Sequence, residues 1–152
     1  MAPQSPVPAT ARQGPVTLQL RRTFQAPRER VFRAWTTAEE LKRWHAPAPN
    51  ITSVAEVDLR VGGKYRIHMR APDGAEHRAV GVYREIDPPK KLVFTWSWEG
   101  GYLSDTLVTV EFLDRGAATE LVLTHELFPS DEARTQHASG WNAVFDKLAQ
   151  II

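Results

Sequence analysis

The segment EVDLRVGGKYRIHMRAPDG, residues 56–74, decides how this chain is read. Val57 and Leu59 alternate with Glu56, Asp58 and Arg60, and Gly62-Gly63 supplies a turn. Tyr65, Ile67 and Met69 then alternate with Arg66, His68 and Arg70 until Pro72-Asp73-Gly74 turns the chain again. Strand side chains point to opposite faces in turn, so a period of two predicts half-buried strands. Connections this short join antiparallel neighbours.

The same period holds downstream. A strand is expected from about His77 to Ile86, stopped by Asp87-Pro88-Pro89. Leu92, Phe94, Trp96 and Trp98 share one face of the next, which ends at Gly100-Gly101. Val108, Val110 and Phe112 lead to a turn at Arg115-Gly116, and Leu121, Leu123, His125 and Leu127 line one face of the last strand. Upstream, Val16, Leu18 and Leu20 alternate with Thr17, Gln19 and Arg21 in a first strand. Pro27 suits the first position of a short helix bearing Val31, Phe32 and Trp35. Thr37 and Glu40 have the spacing of a capping box for a second helix, with Leu41 and Trp44 as its apolar positions and Pro47 and Pro49 beyond its end.

After Pro129, Ser130 followed by Asp131 and Glu132 opens a helix that can run to the C-terminus, roughly 30 Å. His137, Trp141, Val144 and Leu148 form one stripe of it. A sheet of about seven twisted strands must curl, and this helix alone is long enough to fill the concave side. The predicted fold is therefore α+β, a curved antiparallel sheet gripping a long C-terminal helix, with two short helices after the first strand. Residues 15–152 are expected to form this one domain. Residues 1–14, with three prolines among small and polar residues, are expected to be a flexible tail.

Composition narrows the function. Nineteen basic residues against eighteen acidic ones, scattered along the chain, argue against a nucleic-acid partner. The chain has no cysteine, which excludes disulfides and thiolate metal sites and suits a reducing cytoplasm. No apolar run approaches the roughly 20 residues that span a bilayer, and residues 1–14 lack the apolar core of a secretory signal. His45, His68, His77, His125 and His137 show no metal-ligand spacing, so neither a metal nor another cofactor is expected. Gly62-Gly63 lies in no phosphate-loop pattern, and no serine sits in a nucleophile elbow, so no catalytic residue is assigned.

RTFQAPRERVFRAWTTAEELKRWHAP, VDLRVGGKYRIHMRAPDG, IDPPKKLVFTW and GWNAVFDKLAQII stand in this order along the chain. With them the chain resembles, from Val16 to Ile152, START-like (SRPBCC) domains, a superfamily that includes polyketide cyclases and lipid-transfer proteins. Within it the likeness is to bacterial proteins similar to the activator of the heat-shock protein 90 ATPase. The resemblance implies the helix-grip fold and a cavity between sheet and helix. Its members include carriers, partner-binding modules and a few enzymes, so it constrains fold more than function.

Four of the five tryptophans, Trp44, Trp96, Trp98 and Trp141, fall on inward faces or at the mouth of such a cavity. Their indoles would line a site for an apolar ligand and orient it through N–H groups. The expected ligand-binding set is Trp44, Tyr65, Phe94, Trp96, Trp98, His125, His137 and Trp141, with Trp44 near the entrance. Glycine in mid-helix costs about 1 kcal/mol relative to alanine. Gly140 therefore marks a close approach either of helix to sheet or of a ligand to the helix, and close packing is the favoured reading. The favoured function is non-enzymatic binding of a small hydrophobic or amphipathic molecule. A second reading is a chaperone- or regulator-binding module. A third is a cyclase- or dehydratase-type enzyme using His125, His137 or Tyr65 as acid or base, which a strongly perturbed inward histidine would favour.

Overall fold

The computed structural model describes residues 16–101 and 103–152; the tail expected over residues 1–14 lies outside them. The alternating segments form β1 (Val16–Phe24), β2 (Ile51–Val57), β3 (Lys64–Arg70), β4 (Glu76–Asp87), β5 (Lys91–Trp98), β6 (Leu103–Arg115) and β7 (Ala118–Phe128). All pairings are antiparallel, and the strands lie side by side in the order β1-β7-β6-β5-β4-β3-β2. From β2 to β7 the sheet is a meander. β1 returns to pair with β7, with Leu20 opposite Leu123 and Phe24 opposite Thr119. Helices α1 (Arg28–Thr36) and α2 (Ala38–Trp44) connect β1 to β2, and α3 (Asp131–Ile151) follows β7.

The inward residues of the sheet meet the apolar stripe of α3. His137, Trp141, Val144, Phe145 and Leu148 are all buried on that helix. Phe145 meets Phe24 edge-on at 6.0 Å, and Phe32 of α1 meets Phe112 of β6 at 5.2 Å. Edge-to-face contacts at such distances add to the area term of burial. At the start of α3, the Ser130 hydroxyl accepts from the Ala133 N–H at 3.1 Å, as the sequence signal requires.

Three local expectations are corrected. Thr37 is the N-cap of α2, but its side chain makes no capping hydrogen bond. Glu40 instead forms ion pairs with Arg30 at 3.2 Å and Arg33 at 3.6 Å on α1, and so ties the two short helices together. Leu59 lies beyond the end of β2 and is exposed. Leu127 is also exposed, because its φ of 70° breaks the alternation and turns Phe128 inward in its place. The register between β1 and β7 slips at that level, with Val16 opposite Phe128 and Leu18 opposite His125. This is how a bulge re-aims a side chain.

Gly81 of β4 explains how the middle of the sheet packs. A Cβ there would collide with the Thr95 carbonyl oxygen and lie 2.5 Å from the Tyr65 ring. Hydrogen in that position lets the Tyr65 hydroxyl cross to β5 and donate to the Thr95 carbonyl at 2.6 Å.

Candidate ligand-binding site

Where α3 leaves the sheet it borders a cavity of about 220 Å³. Gln136, His137, Gly140, Trp141 and Val144 of α3 form one wall, Met69, His77, Trp96 and Trp98 of β3 to β5 form the other, Pro47 and Asn50 make the rim after α2, and the buried His45 completes the lining. Four residues expected at the site, Trp96, Trp98, His137 and Trp141, thus come together around one space.

The other four lie elsewhere. Trp44 is fully buried, and its indole N–H donates to the Ala34 carbonyl at 3.0 Å, which turns it back toward α1. Tyr65 and Phe94 border a smaller cavity of about 20 Å³ deeper in the sheet. His125 stands behind Trp141. Its position opposite Val108 on β6 places it in the core of the sheet.

The polar groups around Trp141 form two chains. The Trp141 indole N–H donates to His125 Nδ1 at 3.1 Å. His125 Nε2 then lies 2.8 Å from the Thr106 hydroxyl, which itself donates to the Trp96 carbonyl at 2.6 Å. Thr106 has spent its proton, so His125 must donate from Nε2 and accept at Nδ1. This is the neutral tautomer. Burial, with His137 nearby as a smaller cause, pushes the His125 pKa down to about 2.

In the second chain the Trp98 indole N–H donates to His137 Nε2 at 2.9 Å, and His137 Nδ1 lies 2.8 Å from the Ala133 carbonyl. A carbonyl only accepts, so the proton of His137 sits on Nδ1 and this ring too is neutral. Burial lowers its pKa, and the bond to Ala133 opposes the shift. All four polar atoms of the two histidine rings are occupied. Tyr65 is held in the same way by Thr95, and burial, with Tyr83 beside it, raises its pKa well above the ordinary value.

Two side chains that sequence reasoning passed over complete the site. His45 follows α2 directly and is 3% exposed, with its ring stacked on Trp96 at 5.7 Å and edge-on to Trp141 at 5.5 Å. Burial moves its pKa down to about 4, its own backbone opposing and Lys147 adding to the shift. Trp35 of α1 stacks on Trp141 at 5.9 Å. Alternation and helical spacing mark both residues only as inward-facing, and nothing in the pattern shows how their nitrogens are partnered.

Gly140 is the clearest correction. A Cβ at this position would meet no atom within 4 Å, so α3 does not approach the sheet closely here. The glycine borders the cavity, and its missing side chain leaves that space open. The rim opposite is fastened to the same helix, because the Lys147 ammonium donates to the Ala46 carbonyl at 2.7 Å and the Asn50 carbonyl at 3.4 Å. Among the described residues no group of three or more potential ligands could hold a metal ion, and no helix is long and apolar enough to cross a membrane.

The fold has counterparts. A protein of Chromobacterium violaceum is similar in structure at 28% identity and a TM-score of 0.83, over 90% of this chain and 96% of that one. The AHSA1 protein of Silicibacter pomeroyi is similar at 24% identity and a TM-score of 0.79, over 89% and 96%. An AHSA1-like protein of Aeromonas hydrophila is similar at 24% identity and a TM-score of 0.74, over 89% and 90%. Comparison with curated protein sequences gave no match. Residues 25–152 match the family described as activator of Hsp90 ATPase homolog 1-like protein. By that match and by its helix-grip fold, the chain belongs to this family of the START-like superfamily.

Proposed function

We propose that this protein is a carrier or sensor that binds a small, largely apolar molecule between α3 and the sheet, without chemistry of its own. The observation that carries this reading is the cavity bounded by Trp96, Trp98 and Trp141 and kept open at Gly140. The family and fold support a ligand-binding or regulatory module in general terms. Size narrows the ligand. An engineered apolar cavity of about 150 Å³ takes up benzene, whereas drug-sized ligands occupy about 300–1,000 Å³. A volume near 220 Å³ therefore suits one substituted ring or a short chain, and is too small for a long-chain lipid.

The strongly perturbed histidine that would favour acid–base chemistry is present as His125, but its environment argues for a structural role. Both of its nitrogens are bonded, and the shift holds it neutral far below the range useful to a base near neutral pH.

Toluene is a suitable probe, since every described wall of the cavity except the rim is rich in aromatic surface. Titration should change the tryptophan emission saturably, and native mass spectrometry of protein from its own host should show a small bound molecule. If toluene and molecules of its size leave emission unchanged and the native mass is that of the bare chain, the carrier reading fails. A surface that binds a chaperone or regulator would then take its place.

A further inference from the structure

The smaller cavity of about 20 Å³ shares His45 and Trp96 with the larger one and is also bordered by Trp35. Each of these three residues is 3% exposed, and each carries a buried polar atom with no hydrogen-bond partner: Trp35 Nε1, His45 Nδ1 and Trp96 Nε1. The His45 ring lies 6.2 Å from that of Trp35 and 5.7 Å from that of Trp96, so all three surround one small space. About 10–15 Å³ is enough for a single water-sized oxygen. Buried polar groups are nearly always paired, and three unpaired atoms carried by residues that line one space of this size point to a shared partner.

Hydrogen-bond counting identifies that partner. An indole N–H can only donate, while a neutral imidazole has one nitrogen that accepts. No hydrogen bond fixes the His45 tautomer; with its proton taken to be on Nε2, Nδ1 accepts and the three atoms offer two donors and one acceptor. A hydroxyl, whether of a ligand or of a water molecule, has two lone pairs for the indoles and a proton for the histidine. A carbonyl or ether oxygen would leave His45 Nδ1 without a proton to accept, and a hydrocarbon would satisfy none of the three.

We propose that Trp35, His45 and Trp96 form a hydroxyl-binding site, which anchors a small phenol or alcohol whose apolar part fills the 220 Å³ cavity. This deepens the carrier reading and rests on it. His45 and Trp96 bridge the two spaces, so the ligand has its hydroxyl seated inward and its apolar part toward the rim.

The test compares p-cresol with toluene, which differ by that one hydroxyl, by calorimetric titration of the full chain. We expect p-cresol to bind at least tenfold more tightly. Trp96→Phe deletes the donor together with part of the ring, so the affinity of both ligands changes, and the advantage of p-cresol over toluene should fall to near parity. Equal or tighter binding of toluene to the unaltered chain overturns the anchor alone and leaves the small cavity as the seat of a structural water. Equal weakening of both ligands by Trp96→Phe overturns it too, as it would show ring packing and not the N–H at work. If that variant does not fold, the toluene and p-cresol pair on the unaltered chain decides. Binding of neither ligand removes the carrier reading and the anchor with it.

Discussion

Replacing Gly140 by alanine separates two explanations of a mid-helix glycine by the sign of the stability change. Gly140 lies within α3, nine residues past its first, and a Cβ there meets nothing within 4 Å. The new methyl group therefore clashes with no neighbour, and the substitution recovers the helix propensity that glycine lacks, about 0.8–1 kcal/mol. In a domain of this size that corresponds to a rise in Tm of about 2–4 °C. The same methyl group projects into the cavity between Gln136 and Val144, one turn away on either side. One methylene in an apolar pocket is worth about 1–3 kcal/mol. Toluene affinity should thus fall by about tenfold even as the fold becomes more stable. Thermal and urea denaturation measure the first effect and fluorescence titration the second. Gly140→Leu should extend the trend, with binding abolished in a chain that remains folded. Loss of stability in Gly140→Ala would refute the open-space account and restore close helix–sheet packing. A stabilised variant with unchanged toluene affinity would show that ligands occupy some other place.

The buried histidines make stability fall in acid. His45 and His125 have folded pKa values near 4 and 2, below the unfolded value, so the unfolded chain binds more protons in between. Their contribution is full above about pH 6.5 and shrinks as pH falls toward 4, by up to about 3 kcal/mol for each histidine. The lowered carboxyl of Glu120, held by Arg115 and Arg21, acts in the same direction. Urea midpoints at pH 7.0, 5.5 and 4.5 should decline in step, and a flat profile from 7.0 to 5.5 would contradict the neutral tautomers assigned here. Gly81→Ala should have the opposite sign to Gly140→Ala, since its Cβ collides with the Thr95 backbone. A loss of about 1–3 kcal/mol in urea denaturation is expected, and a neutral result would mean that β4 and β5 separate easily at this level.

Alternation made the strands readable because the sheet has one buried and one wetted face, so Tyr65, Ile67 and Met69 could be placed inward from their spacing alone. The same rule failed at Leu127, where a left-handed backbone residue shifts the period, and no pattern of side chains announces such a residue when it is not glycine. The stripe on α3 was equally plain, and with it Trp141 and His137 at the cavity. Trp44 also obeyed its helical period, but burial does not fix direction: the Ala34 carbonyl takes its N–H, and the cavity wall passes to His45, the next residue. Gly140 could be recognised as unusual but not interpreted, because a missing side chain looks the same in sequence whether a strand or a space lies opposite. The partnering of indole and imidazole nitrogens depends on residues far apart in the chain, such as Thr106 and His125, and is visible once the fold is assembled.

The pairing of β1 with β7 has a consequence for biosynthesis. Gln19 on β1 donates to Thr124 on β7, 105 residues later in the chain. At a translation rate of about 5–20 residues per second, β1 leaves the ribosome roughly 5–20 seconds before its partner strand has been made. The meander from β2 to β6 can assemble hairpin by hairpin in that interval, but the nascent β1 has nothing of its own chain to pair with. Its solvent face carries Thr17, Gln19, Arg21 and Thr23, of which the charged Arg21 is the kind of side chain that discourages a waiting strand from pairing with the wrong neighbour.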